Sequence, residues 1–489
     1  MKIKDMVQGV PCLQIRGAVQ TDIRGLSLSS LAIEPGFLFA ALKGLKADGY
    51  DYIPDAAAQG AAAVLSERPP DASALPWIQV ENGRRALALC AANFYRHPSR
   101  EITAIGITGT KGKTTTTYIL ESILQAAGHT AGVIGTIAYR GPGLEHKADR
   151  TTPEAPELQK MMRSLIEHGS RYCLMEVSSH SLSLCRVDGI DFAASVFTNL
   201  SGDHLDYHVS MENYFAAKKK LFDTGRQKKI AVINIDNHWG RELQSQTQLG
   251  VISYGLEAPA LVRPASYRFS SHGIELTMRY PGGQLKITSP LLGKPNLYNI
   301  LASAATALAL KISPRDIQEG IRSLQGVPGR FQNIPNARGI QILVDYAHTD
   351  DALHNLLETA RELDPRRILL VFGAGGDRDK SKRPRMGEIA ADLADWTILT
   401  SDNPRTEDPK AILKDIESGI ARSGGRNYEI EPDRKAAIAL VLARAKPGDL
   451  VLVAGKGHED YQILKDKVIH FSDSEVIAEI LKQQESEVT

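Results

Sequence analysis

Cysteine is scarce in this chain. Cys12, Cys90, Cys173 and Cys185 are the only four in 489 residues, and they stand too far apart to form a paired metal-binding motif. Cys173 lies in an apolar run and is expected to be a buried, reduced thiol. An excess of one charge is also missing. A net charge of +1 gives no footprint for nucleic acid or an anionic membrane surface. Long hydrophobic runs are absent: the small-apolar stretch Leu301–Leu310 falls well short of the ~20 residues that cross a bilayer. The opening Met1-Lys-Ile-Lys-Asp5 lacks the apolar core of a signal peptide. No long repeat or low-complexity tract occurs, and only Gln483–Glu487 is expected to fray. These absences predict a cytoplasmic protein with no nucleic-acid partner and no membrane insertion. What remains is an ordinary globular composition, 43% hydrophobic and 24% charged, at a length suited to two to four domains.

The stretch Gly106-Ile-Thr-Gly-Thr-Lys-Gly-Lys-Thr-Thr115 carries the most information. An apolar strand, Ile102–Ile107, runs into it. The helix after it shows Tyr118, Ile119, Ile123, Leu124 and Ala127 at helical spacing, with Gly128 placed to end it. Strand, glycine loop, Lys-Thr and helix in that order make a phosphate grip. Backbone N–H groups close around phosphate oxygens, Lys113 supplies a cation and the Thr114 hydroxyl can hold Mg²⁺. The usual spacing wants a glycine at position 107, where Ile107 stands. Gly109 comes two residues later and makes a tighter loop. An ordinary glycine turn is the bland alternative, and the ordered set of features weighs against it.

Along the chain, residues 1–98 form a first unit of short strand signals and Gly/Pro turns. Strand-like runs then recur at Thr130–Gly135, Tyr172–Val177, Phe192–Asn199 and Ile230–Ile235, with helical segments such as Glu157–His168 and Glu212–Leu221 between them. This alternation predicts a mostly parallel, doubly wound sheet with helices on both faces. Residues 251–290 show period-2 patterning and predict extra antiparallel strands at the sheet edge. Gly326-Val-Pro-Gly-Arg-Phe331 is a turn-rich hinge candidate. Alternation resumes after it, with strands near Ile340–Val344, Ile368–Phe372, Thr397–Thr400 and Leu450–Val453, and predicts a second α/β unit. Ligands in such sheets bind at the carboxyl ends of strands. Glu176, Asn199, Asp345, Gly373–Asp379, Asp402 and Gly455–Glu459 all fall at such ends.

Several constellations carry chemistry. Glu176 ends a core strand, where a carboxylate is costly unless it meets a cation or water; beside the phosphate loop, Mg²⁺ is the favoured partner. His204 lies in the polar run Asn199–His208 and could be a metal ligand or phosphate contact, although a lone loop histidine is more often solvated. Lys218 belongs to Lys218-Lys-Lys220, which by itself reads as a solvated helix face. Arg378 and Arg405, on loops after neighbouring strands, suit bidentate recognition of a small carboxylate, with surface ion pairs as the plain alternative. Gly455-Lys-Gly-His-Glu459 follows another strand, and Glu459 could hold an ammonium group. An arginine pair near an ammonium acceptor describes an amino-acid pocket.

The ordered set GTKGKTT (109–115), TTP (151–153), EVSSH (176–180), NLSGDHLDYH (199–208), AAK (216–218), PGRF (328–331), DYAH (345–348), GGDRDKSKRP (375–384), DNPR (402–405) and GKGHE (455–459) resembles the Mur ligase family across essentially the whole chain. The resemblance implies three α/β domains. They are a small UDP-binding N-terminal domain (1–98), a central ATP-binding domain built on a P-loop doubly wound parallel sheet (99–330) and a C-terminal Rossmann-like amino-acid-binding domain (331–489). It implies ATP-driven amide formation in peptidoglycan precursor synthesis. The D-Glu γ-carboxylate of UDP-N-acetylmuramoyl-L-Ala-D-Glu becomes an acyl phosphate, and the amine of meso-2,6-diaminopimelate attacks it. By resemblance, Gly109, Thr110, Lys111, Gly112, Lys113, Thr114, Thr115, Asn296, Asn299, Arg330, Asp345 and His348 serve ATP. Leu28, Ser30, Thr151, Thr152, Ser178 and Arg186 serve the muramoyl dipeptide. Arg378, Asp402, Asn403, Pro404, Arg405, Gly455 and Glu459 serve diaminopimelate, and the arginine of DNPR marks the branch that adds it. Two Mg²⁺ sites are implied, with Thr114 on the first and Glu176 and His204 on the second. Lys218 matches a lysine that CO₂ converts to a carbamate, N6-carboxylysine, which would also ligate the second ion. Lys113, Lys218 and His204 are the implied catalytic residues, and a monomer is expected.

The chain departs from the family at Lys111, where Asn is common, and at Ser29-Ser30-Leu31, where Asp-Ser-Arg is frequent. Within the fold, the rivals are a ligase adding L-Lys and folylpolyglutamate synthase. Outside it, the rivals are a P-loop kinase or NTPase and a non-enzymatic binding module.

Overall fold

The computed structural model describes residues 1–44, 47–70, 74–223 and 229–488, without the side chains of 485–488. The chain separates into two compact units. One comprises Met1–Arg263, Arg279–Gly283 and Asn299–Gly320; the other comprises Pro264–Met278, Gln284–Tyr298 and Ile321–Thr489.

The first unit holds two sheets. The smaller has five strands in the order Cys12–Arg16, Trp77–Val80, Ala63–Ser66, Phe37–Ala41 and Gly25–Ser27. Its first strand is antiparallel and the rest are parallel. The larger sheet has eight strands in the order Gly250–Tyr254, Ile230–Asn234, Phe192–Phe197, Thr103–Thr108, Tyr172–Glu176, Ala131–Ile134, Ala138–Gly141 and Leu144–Lys147. The first six are parallel. Cys173, Leu174 and Met175 are all fully buried. Cys173 and Met175 pack with Leu158, Met162 and Leu165 of helix Ala155–Glu167. Alternation turns Leu174 to the other face, so the sheet is covered on both sides, as its unbroken hydrophobic strands demand. Cys173 is a buried free thiol, as expected.

The edges differ from the sequence reading. Gly250–Tyr254 extends the large sheet in parallel, while Arg263–Ser270, Gly273–Tyr280 and Gly283–Ser289 form a separate three-stranded sheet. The antiparallel edge is instead the hairpin Ala138–Gly141 with Leu144–Lys147. Residues 483–487, expected to fray, continue the helix Asp473–Val488.

The second unit centres on a six-stranded sheet, in the order Gln332–Asn333, Gln341–Asp345, Leu450–Ala454, Ile368–Phe372, Trp396–Leu399 and Tyr428–Ile430. All neighbours pair in parallel except the first two strands. Leu343, Leu370, Phe372 and Leu452 pack on one face with Leu353, Met386 and Ile416. Ile342, Val371 and Val453 pack on the other with Ile438, Val441 and Ile477. The chain leaves Gln341–Asp345, builds the strands outward from Ile368–Phe372, and returns to insert Leu450–Ala454 between them. That reversal makes a switch point at the strand C-termini, where such sheets bind ligands. Among the described residues no helix is long and apolar enough to cross a membrane.

Candidate active site

In the first unit, the strand Thr103–Thr108 extends one residue past Ile107, which is fully buried. The loop is therefore short and tight. Gly109 has φ +150°, and a Cβ there would lie 1.9 Å from the Thr198 hydroxyl. Gly112 has φ +87°, and its Cβ would meet Asn299 Oδ1 at 2.5 Å. No side chain fits at either position. Helix Lys113–Ala126 begins immediately after, and the first four N–H groups of a helix have no acceptor within it. Its end follows the expected pattern: Gly128 takes φ +74°, donates to Gln125 O at 2.9 Å and ends the helix.

Asn199 holds the loop from below. Lys111 N donates to Asn199 Oδ1 at 3.0 Å, and Asn199 Nδ2 donates to Lys111 O at 3.1 Å. Thr110 N donates to Asn199 O at 2.9 Å, and Thr198 Oγ1 donates to Lys111 O at 2.6 Å. Thr110 Oγ1 meets the Tyr214 hydroxyl at 3.2 Å. Lys113 Nζ donates to Gly109 O at 2.9 Å and Thr110 O at 3.0 Å. Thr115 and Asn299 are buried beside the loop.

Glu176 is 1% exposed and is dressed with donors. Thr114 Oγ1 donates to it at 3.0 Å, Thr136 N at 3.0 Å and Thr136 Oγ1 at 2.9 Å. Thr136 Oγ1 also meets Thr151 Oγ1 at 3.1 Å. This oxygen-rich set is the donor chemistry a hard cation prefers. Beside it, Thr152 Oγ1 donates to Glu176 O at 2.8 Å and accepts from Ser178 N at 3.1 Å. Arg186 reaches Thr152 O at 2.9 Å and Glu154 at 2.8 Å. Thr151, Thr152, Ser178 and Arg186 thus gather around Glu176.

Lys218 is 1% exposed. Its ammonium donates to Gly109 O at 2.9 Å and lies 4.6 Å from the Tyr214 ring, with no carboxylate in salt-bridge contact among the described residues. Burial, reinforced by nearby Lys113, pushes its pKa well below the ordinary lysine value. The solvated-face reading of this lysine is therefore overturned. His204 has φ +54° and stacks edge-on to His180 at 5.0 Å, while His180 itself lies 5.5 Å from His208. Burial, helped by the neighbouring imidazoles, lowers His180 to about 4, and burial lowers His204 too. Burial thus disfavours the charged form of each imidazole in the cluster. Neither His204 nor Lys218 touches Glu176, and among the described residues no three His, Cys, Asp or Glu side chains form a metal set. Just after the strand Gly25–Ser27 of the small sheet, Ser30 is buried and Leu28 half-buried, and the two are separated by one residue.

In the second unit, Asp345 ties down the end of the turn Gly326–Phe331: its carboxylate accepts from Phe331 N at 2.7 Å and Ala347 N at 2.9 Å. Arg330 stacks on Tyr346 at 4.8 Å, and Tyr346 packs against His348 at 4.6 Å. Burial lowers the His348 pKa. Asn296, on helix Lys294–Ala309 with Asn299, donates to Leu292 O at 2.8 Å.

Arg378 and Arg405 flank Gly375. A Cβ on that glycine would stand 3.0 Å from Arg405 Nη1 and 3.7 Å from Arg378 Cγ. Arg405 donates to Gly376 O at 2.8 Å. Behind them, fully buried Arg383 clamps Glu407 at 2.9 and 3.0 Å, and Glu407 accepts from Asp377 N at 2.6 Å. Asn403 Nδ2 donates to Glu459 Oε2 at 2.9 Å. Asp402 is 6% exposed, and Gly455, with φ +116°, approaches it closely. Burial, with Asp402 nearby, raises the Glu459 pKa. Arg378, Asp402–Arg405, Gly455 and Glu459 are all brought to one end of the sheet.

Sequence reasoning missed Thr136, Thr198, Tyr214, Arg383 and Lys456, and gave Asn199 no role. Thr136 follows a strand end and could have been found by that rule. Lys456 lay inside a quoted motif, unassigned.

Comparison with known proteins gives three family matches. They are the Mur ligase middle domain over residues 107–307, the Mur ligase glutamate ligase domain over 329–457 and the Mur ligase catalytic domain over 22–95. A UDP-N-acetylmuramoyl-L-alanyl-D-glutamate–2,6-diaminopimelate ligase of Solibacter usitatus is 47% identical over 95% of this chain and 94% of that protein. One of Geobacter metallireducens is 44% identical over 99% of each. A solved structure described as UDP-N-acetylmuramoyl-L-alanyl-D-glutamate–2,6-diaminopimelate ligase superposes with a TM-score of 0.73 at 31% identity, covering 99% of both chains. This chain belongs to the Mur ligase family.

Proposed function

We propose that this protein is an ATP-dependent ligase that joins 2,6-diaminopimelate, in its meso form, to the D-Glu γ-carboxylate of UDP-N-acetylmuramoyl-L-Ala-D-Glu. The observation that carries the reading is near-full-length identity to ligases of that name, in a chain that flanks Gly375 with two arginines. L-Lys has no distal carboxylate to occupy such a pair, which favours diaminopimelate over the lysine-adding alternative. We assign residues 1–98 to UDP binding, 99–330 to ATP and 331–489 to the amino acid.

The chemistry follows from the groups present. A free carboxylate resists amine attack because oxide is a poor leaving group. Transfer of the terminal phosphoryl group to the γ-carboxylate oxygen releases ADP and creates a leaving group. The amine then attacks the acyl carbon, the C–O bond breaks, phosphate departs and the amine loses a proton. Phosphoryl transfer asks the protein for positioning and charge neutralisation. Lys113 and the loop N–H groups receive the phosphates, and Asn199 keeps the loop in shape. Asn296, Asn299, Arg330, Asp345 and His348 are assigned to ATP. Leu28, Ser30, Thr151, Thr152, Ser178 and Arg186 are assigned to the muramoyl dipeptide.

The oxygen donors of Thr114 and Glu176 suit Mg²⁺, and His204 is assigned beside them. Bound Mg²⁺ would supply neutralisation of phosphate charge. Lys218 fits the carbamate assignment because burial disfavours its charged form and so favours the amine with a free lone pair, which attacks CO₂ as one C–O π bond opens and the nitrogen gives up a proton. The new N–C bond turns an amine into an anionic oxygen donor. Arg378 and Arg405 hold the distal carboxylate of diaminopimelate. Asp402, Asn403, Pro404, Gly455 and Glu459 frame its ammonium end.

The test supplies the purified protein with the nucleotide dipeptide, ATP and Mg²⁺ together with either diaminopimelate or lysine, and weighs the product. A product heavier by one diaminopimelate residue is expected. Preferential lysine addition, or phosphate release with no amide product, would overturn the proposal.

A further inference from the structure

Lys456 is fully buried, yet it sits among three of the residues assigned to the amine. Its Nζ lies 3.6 Å from Asp402 Oδ1, 3.4 Å from Glu459 Oε2 and 3.3 Å from Asn403 Oδ1. The Tyr461 ring stands 5.6 Å away. A lysine with no exposed surface is costly unless it is compensated, so its retention calls for a reason.

The neighbours supply one. Asp402 Oδ1 is buried and, among the described residues, has no hydrogen-bond partner apart from this ion pair. Glu459 Oε2 is taken by Asn403 and Lys456, while no hydrogen bond to Oε1 occurs among the described residues. Asn403 Oδ1 also accepts from Ile463 N at 3.0 Å, which anchors the turn to the strand Tyr461–Leu464. Both carboxylates, Asp402 buried and Glu459 half-buried, face the same ammonium, and without it they would repel each other. With Lys456 between them they share one net negative charge, which one incoming ammonium neutralises.

Resting on the proposed function, we propose that Lys456 is a positioning residue for the amine: it locks Asp402, Asn403 and Glu459 into one charge-balanced unit that presents Glu459 Oε1 to the substrate ammonium. It touches no reacting atom in this arrangement. Removing it leaves two like charges to separate or to bind a proton, and either change spoils the ammonium acceptor.

The experiment measures initial rates of Lys456→Met and Lys456→Gln with diaminopimelate, ATP and the nucleotide dipeptide varied in turn, after thermal melting confirms folding. The amine KM is expected to rise about tenfold or more in each, because truncating one partner of a buried, hydrogen-bonded charge set strands the others. The other two KM values should stay within about twofold, since nothing in the assigned ATP or dipeptide sites contacts this lysine. Lys456→Arg, which keeps the charge, should recover part of the amine KM. An unchanged amine KM in a folded variant overturns the proposal, as does a parallel rise of all three KM values. Lys456→Gln keeps the test available if Lys456→Met does not fold. The wild-type protein separates the two ideas. If it uses another amine, the proposed function fails while the same variants are scored against that amine.

Discussion

Asn199→Ala should weaken ATP binding without touching the amine site. The side chain makes two bonds to Lys111, one to its N–H at 3.0 Å and one from its own amide to the carbonyl at 3.1 Å. Each is worth about 0.5–1.5 kcal/mol net, so together they favour the ordered loop by about 1–3 kcal/mol. If ATP must restore that order on binding, the cost appears in its affinity. At 1.4 kcal/mol per decade, the ATP KM should rise about 5- to 150-fold. Asn199→Asp is the sharper control. It can still accept from Lys111 N, but it has no donor for Lys111 O and turns a lone pair toward that carbonyl. Its ATP KM should therefore not return to the wild-type value. The assay is ADP release at varied ATP with the other substrates saturating, and melting temperature as the check on folding. The loss should be confined to the nucleotide, because Thr198 Oγ1 and the Thr110 N–H still hold the loop's outline. A folded Asn199→Ala protein whose ATP KM lies within about twofold of wild type would refute the claim that this amide pre-shapes the phosphate loop.

Lys218→Ala should abolish turnover, and short carboxylic acids should restore part of it; full activity without additive excludes a carbamate on this lysine. Arg405→Lys should raise the diaminopimelate KM while leaving the ATP KM unchanged, because an ammonium cannot reproduce the guanidinium fork; equal KM values would count against the carboxylate role. Arg383, with Asp377 N and Lys380, holds the Glu407 carboxyl at about 2, below its ordinary 4.5. A depressed carboxyl contributes stability above the ordinary value and loses it as the pH falls toward the folded value. Glu407→Gln should therefore flatten the loss of melting temperature between those two pH values, and an unaltered acid profile would sink that assignment.

The parallel strands were legible because both of their faces are buried. Tyr172–Met175 and Ile368–Phe372 are hydrophobic without a break, the pattern of a strand covered on both faces. The phosphate loop was legible because it is local: strand, glycines, Lys113 and Thr114 lie within a few residues of one another. Contacts distant in sequence were not. Asn199 reaches back 88 residues to Lys111, Glu176 accepts from Thr136 across 40, and Lys456 meets Asn403 across 53. Each is an ordinary polar residue until the chain folds. The hairpin ending at Leu144–Lys147 was missed for a different reason. Three of its four last residues are exposed, so it leaves no hydrophobic pattern to read.

Lys218 marks the boundary between what composition hides and what periodicity reveals. Read as a cluster, Lys218-Lys-Lys220 looks like a solvated face. Read at 3.6 residues per turn on the helix Met211–Asp223, Lys218 falls on the stripe of Tyr214, Phe215, Leu221 and Phe222, all of them buried. Lys220, two residues on, turns outward and is exposed. A lysine on the apolar stripe of an amphipathic helix must either lose its charge or find a partner in the interior. Its ammonium donates to the carbonyl of Gly109, the same oxygen that Lys113 uses. Two ammonium groups on one carbonyl, one of them buried, make an arrangement that favours neutral Lys218. The helical period, which the reading of the cluster as a solvated face did not apply, separates this lysine from its two neighbours; its chemistry needed the loop that the fold brings to it.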